Sequence, residues 1–211
     1  MLRGHSSRPS GSRKSSENGY VLSVNIYGRG DVLQGDLPAH WGAMLHKRGD
    51  PDGDLYHIRK NEHFYYESPT QKRAVESATC YGRMEIQHLS NTGKETAARI
   101  LDAYGKDKFN LPHGHANSQD WTVGALGALE RERLVPRGTK DYWSQHIGLA
   151  SLDAANRVRQ DGGSWVPVTA VNPGGRGCAD ATFGKEQVRK PVGRLNLDQF
   201  AGISGSSQPR W

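Results

Sequence analysis

The chain has 211 residues, with 28 Lys and Arg against 22 Asp and Glu, a formal charge of +6 and a sequence pI near 9.4. That length excludes a peptide-sized scaffold and allows one domain of about 150 residues with tails, or two small domains. No run approaches the roughly 18 to 20 consecutive apolar residues of a membrane span, and the opening MLRGHSSRPSGSRKSSENG lacks the apolar stretch of a secretory signal. Two cysteines, Cys80 and Cys178, without CxxC or Cys/His zinc spacing, exclude a disulfide framework. The expectation is an intracellular protein with no transmembrane segment and no cofactor or metal.

The positive charge is unevenly placed. Residues 1–18, mostly Ser, Gly, Arg and Lys, carry +3, residues 154–211 carry +4, and the stretch between them carries −1. A nucleic-acid-binding domain concentrates basic residues on a folded face, often beside stacking aromatics. Here the surplus lies in expected tails, which argues against a nucleic-acid partner and for solvated ends able to contact acidic surfaces. The composition divides the chain into a basic tail over 1–18, an α+β domain over 19–150, and a Gly/Pro/Ser-rich, mostly irregular tail over 151–211.

Tyr20 to Tyr27, YVLSVNIY, alternates Leu22, Val24 and Ile26 with Ser23 and Asn25, the pattern of a half-buried strand. AHWGAMLHK over 39–47 reads as a second strand, and the turn-rich RGDPDGD leads into its hairpin partner DLYHIRK over 54–60. ESATCYGRMEIQHL over 76–89 alternates as a further strand, with Gly82 as a bulge. Together these predict an antiparallel sheet. Ala97, Ile100, Leu101 and Tyr104 fall at helical spacing, with Gly105 as a stop. A second helix follows Asn117, where Trp121, Ala125 and Leu129 form a stripe, Asn117 or Ser118 is a competent N-cap, and Pro136 ends the run. Beyond His146 the periodicity fades, and only RLNLDQF near the C-terminus reads as a short docked element.

His40 on one strand, His57 on its hairpin partner and Ser118 at the mouth of a helix form the constellation with chemical potential. Backbone N–H groups at a helix start stabilise developing negative charge, and a strand imidazole can take and return a proton. Other motifs are weaker. His113-Gly-His115 has metal-compatible spacing but reads as a loop. Asp50-Pro-Asp52-Gly-Asp54 fails the calcium-loop pattern, because Leu55 and Asn61 stand where Gly and Glu are needed. NPGGRG over 172–177 has neither the GK[ST] nor the apolar helix of a phosphate loop.

AHWGAMLHK, DLYHIRK and HANSQDWTVGALGALE together resemble the three motifs of the circularly permuted papain-like proteins, the lecithin:retinol acyltransferase-like and NlpC-type group. They also resemble uncharacterised fungal proteins with HW and NCQDW segments in this order. The resemblance covers roughly residues 37–135 and implies an antiparallel sheet packed on a nucleophile-bearing helix. It implies His40 as general base, His57 as its orienting partner and Ser118 at the nucleophile position. Asn117, Gln119 and Trp121 frame that position, and with Trp41 they are the expected ligand-contacting residues.

Ser118 stands where the group has cysteine. A thiol at a helix N-terminus beside an imidazole ionises readily from its usual pKa of about 8.5, whereas a hydroxyl needs concerted proton removal. Two functions follow from the resemblance. One is a catalytically degenerate domain that binds a small-molecule, lipid or peptide ligand. The other is a hydrolase or acyltransferase acting on an amide, ester or thioester through Ser118.

Overall fold

A computed structural model of the chain describes residues 19–28, 38–73 and 79–167. The expected tail over 1–18, residues 168–211 of the expected tail over 151–211 with Cys178, NPGGRG and RLNLDQF, and the strand residues 76–78 lie outside the described residues.

Six strands, β1 (Tyr20–Tyr27), β2 (His40–Lys47), β3 (Asp52–Lys60), β4 (Phe64–Arg73), β5 (Cys80–Leu89) and β6 (Ser164–Pro167), form one antiparallel sheet in the order β4-β3-β2-β1-β5-β6. The helices are α1 (Asn91–Lys106), α2 (Ser118–Arg131), α3 (Thr139–Ser144) and α4 (Ser151–Gln160). The α+β class with an antiparallel sheet is as expected. Among the described residues no helix is long and apolar enough to cross a membrane.

The main core lies between the sheet and the helices. Leu22, Val24 and Ile26 of β1 and Trp41, Ala43 and Leu45 of β2 meet Leu101 of α1, Trp121, Leu126 and Leu129 of α2, and Trp143 of α3. Each large side chain buried there contributes about 1.5–3 kcal/mol.

β1 corrects the half-buried expectation, since Val21 through Tyr27 are all buried. It sits between β2 and β5, and its polar residues satisfy one another. Ser23 Oγ donates to Asn25 Oδ1 at 3.4 Å, and Asn25 Nδ2 donates to Tyr27 Oη at 3.0 Å and to Met44 Sδ at 3.3 Å. Period-two polarity therefore marks two differently lined buried faces here, not one dry and one wet face.

β4 was not expected. Pro69 within the run FYYESPTQKR argues against a central strand, but β4 is an edge strand, where a missing N–H is tolerated. Gly82 does mark a bulge: the β1–β5 register slips between Ile26 and Tyr27, with Gly82 at φ +147 and packed against the Trp165 ring.

Both predicted helices exist, with different ends. Ser90 caps α1, its Oγ accepting from Gly93 N–H at 3.1 Å. Gly105 is the penultimate residue of α1, which ends at Lys106, and a Cβ there would overlap the Tyr66 ring. α2 ends before Pro136, where Arg133 adopts φ 58 and Leu134 N–H returns to Leu129 O at 3.0 Å.

The expected domain limit at 150 is too short. α4 buries Ala154, Ala155 and Val158, and β6 pairs with β5 from Gly82↔Pro167 to Glu85↔Ser164. Ser151, Ala154, Ala155 and Val158 stand at helical spacing, and these contacts carry the fold to at least residue 167.

Candidate functional site

The β2–β3–β4 side of the sheet brings His40, His57 and Glu67 into one chain. His40 opens β2, and its Nε2 lies 3.0 Å from His57 Nδ1. On its other side His57 Nε2 lies 2.7 Å from Glu67 Oε2, the two residues facing each other across the β3–β4 ladder. Arg59 Nη1 stands 3.6 Å from the second oxygen of the same carboxylate. The two imidazoles meet edge to face, with ring centroids 5.3 Å apart. Gly42 makes room for this: a Cβ on it would sit 3.1 Å from His57 Cβ and 3.0 Å from Leu55 Cδ1, tighter than ordinary packing.

Ser118 is the first residue of α2 and is 3% exposed. It is not the helix cap. Asn117 fills that position, its Oδ1 accepting from Gln119 N–H at 2.8 Å while Asp120 Oδ2 accepts from Asn117 N–H at 2.8 Å. The Ser118 hydroxyl thus lies at the positive end of a capped helix, where its oxygen accepts a long hydrogen bond from Trp41 N–H at 3.4 Å. Ser118 therefore meets the backbone of the residue after His40, while the His40 ring lies with His57 and Tyr27 on the sheet face opposite the Trp41 side chain.

The four expected ligand-contacting residues have other surroundings. Trp41 is fully buried and meets Trp143 edge to face at 5.1 Å. Trp121 is 1% exposed, stacked on Tyr66 and crossed by Tyr104. Both indoles are core residues, because large apolar rings on the sheet-facing stripe of α2 and on the helix-facing side of β2 are the natural filling between them. Asn117 is occupied as the cap. Gln119, fully buried, donates from Nε2 to Leu149 O at 3.1 Å and accepts at Oε1 from Gly148 N–H at 2.7 Å. Leu149 O also receives Ala39 N–H at 3.0 Å, so one carbonyl joins the first turn of α2 to the residue before β2. These four residues brace the start of α2 against the sheet.

Two neighbours were missed from sequence. Glu67 lies on the unrecognised edge strand, whose Phe64-Tyr65-Tyr66 start is its one β signal. Tyr27, paired with His40 in the β1–β2 register, has its ring centroid 5.9 Å from the imidazole. Burial, reinforced by Cys80, pushes the Tyr27 phenol well above its usual range, so it stays a neutral O–H donor. The arrangement can hold an imidazole in a fixed orientation beside a phenol. Among the described residues no group of three His, Cys, Asp or Glu is placed to hold a metal ion.

No protein-family model, curated protein or solved structure matches the chain.

Proposed function

We propose that this chain is a permuted papain-like domain whose nucleophile position has lost its thiol and which acts as a binding module for a small-molecule, lipid or peptide ligand. The observation carrying this reading is the state of Ser118: an oxygen instead of sulfur, 3% exposed, with Trp41 N–H as its hydrogen-bond donor. A hydroxyl in that setting lacks the ready ionisation of a thiol.

The second reading, a hydrolase or acyltransferase on an amide, ester or thioester with Ser118 as nucleophile and His40 as base, is favoured by the contacts of 3.0 and 2.7 Å through His57 to Glu67. Such a chain is what a general base needs to hold its ring in place.

The test treats the parent with a fluorophosphonate, and Ser118→Cys and Ser118→Cys/His40→Ala with an iodoacetamide probe. The binding-module reading expects no labelling of the parent, rapid labelling of the Ser118→Cys protein and loss of that rapid labelling when His40 is also removed. Labelling of the parent at Ser118 would replace it with the serine-enzyme reading. A Ser118→Cys thiol that reacts no faster than free cysteine would overturn both.

A further inference from the structure

We propose that Glu67 is a positioning residue that sets the proton arrangement of both histidines, leaving Nδ1 of His40 as the site's basic nitrogen. The inference rests on the reading of His40 as the working imidazole of the site, and adds the residue that determines which of its nitrogens works.

An ionised carboxylate has only acceptors, so the 2.7 Å contact to Glu67 Oε2 requires the proton of His57 to be on Nε2. While His57 is neutral its ring carries that single N–H, so its Nδ1 carries the lone pair. The 3.0 Å contact between that atom and His40 Nε2 in turn requires a proton on His40 Nε2. The lone pair of His40 is thereby assigned to Nδ1. Reversing either ring would set two lone pairs or two N–H groups against each other within hydrogen-bond distance, at a cost comparable to the bond it replaces.

When His40 takes a proton at Nδ1, only that N–H bond forms and the donor keeps the electron pair. The new imidazolium still donates from Nε2 to His57, with the Glu67 charge at the far end of the chain to stabilise it. Tyr27 from β1, a neutral donor, and Arg59 from β3, which opposes the carboxylate at 3.6 Å, also act on this balance. Cross-strand register supplies the rigidity, since His57 and Glu67 are a direct β3–β4 pair.

Nitrogen-15 NMR of the histidine side chains, assigned by single His→Gln substitutions, reads the tautomers directly. In the parent near neutral pH both His40 and His57 are expected as Nε2–H forms. In Glu67→Gln, whose amide can donate as well as accept, both rings are expected to become mixtures. A second readout uses the Ser118→Cys background, where adding Glu67→Gln is expected to slow alkylation by about tenfold below neutral pH and move its profile to higher pH.

A parent His57 found as the Nδ1–H form would overturn the proposal, even if Glu67→Gln failed to fold. Unchanged tautomers in a folded Glu67→Gln protein would overturn it equally. Nε2–H tautomers in the parent that become mixed in Glu67→Gln, together with a sluggish Ser118→Cys thiol, would support the role of Glu67 while removing the papain-like reading, so the two failures are distinguishable.

Discussion

Gln119→Glu isolates the clamp between α2 and β2, because it keeps the side chain's shape while changing one donor into an acceptor. Gln119 is fully buried, with Oε1 receiving Gly148 N–H at 2.7 Å and Nε2 donating to Leu149 O at 3.1 Å. A carboxylate keeps the first bond but turns its second oxygen against the Leu149 carbonyl, which also holds Ala39 N–H. The protonated acid, by contrast, donates from its O–H to Leu149 O and reproduces both bonds. Burial therefore raises the introduced group's folded pKa above the unfolded value of about 4.3, and the loss of stability is bounded by the cost of keeping the acid protonated. At pH 7 that bound is about 4 kcal/mol, from about 1.4 kcal/mol per pH unit. The sign is definite: parent and variant should be equally stable below about pH 4, and the variant should fall behind progressively as pH rises. Urea unfolding midpoints of both proteins, taken from about pH 4 to 7, give the difference directly, and shared titrations cancel. A loss at neutral pH below about 1 kcal/mol, or one that does not change with pH, would refute the clamp.

Two further outcomes concern stability alone. Arg133 is exposed and held at φ 58 at the end of α2, so Arg133→Gly should stabilise the protein by about 0.5–1 kcal/mol by relieving the left-handed conformation, measured by thermal or urea unfolding. His46 is 1% exposed and its pKa is lowered to about 4, first by burial and then by Arg83, against the opposing bond to Lys47 O and the Asp50 charge. The unfolded state then binds the extra proton first as pH falls from about 6.5, so stability should drop between about pH 6.5 and 4 by up to about 3 kcal/mol. Urea unfolding across that window should show this slope in the parent and its loss in His46→Gln.

The local alternation of YVLSVNIY, the hairpin DLYHIRK and the apolar stripe from Trp121 to Leu129 made the sheet and its principal helix readable before any coordinates. Their spacing acts through steric and solvent effects that operate over a few residues. β4 and β6 are not readable in this way, although α4 does carry Ala154, Ala155 and Val158 at helical spacing. A proline-bearing edge strand is stabilised by the partner it meets, and α4 by small residues buried against strands far away in sequence. Motif position suggests Trp41 and Trp121 as ligand contacts, and the tertiary structure adds that both are packed in the core between sheet and helix.

The sequence by itself determined the residue chemistry of the site: two strand histidines, a helix-start segment able to cap itself, and a serine at the first position of that helix. Only the tertiary structure decided that Asn117 and not Ser118 is the cap, that Ser118 meets the backbone of β2, and that Glu67 completes the chain through His57. The reason is physical. Capping competition depends on backbone angles at neighbouring residues, and the His57–Glu67 pair depends on cross-strand register. Register is set by the pairing of whole strands, so no local pattern around Glu67 could have shown which residue it faces.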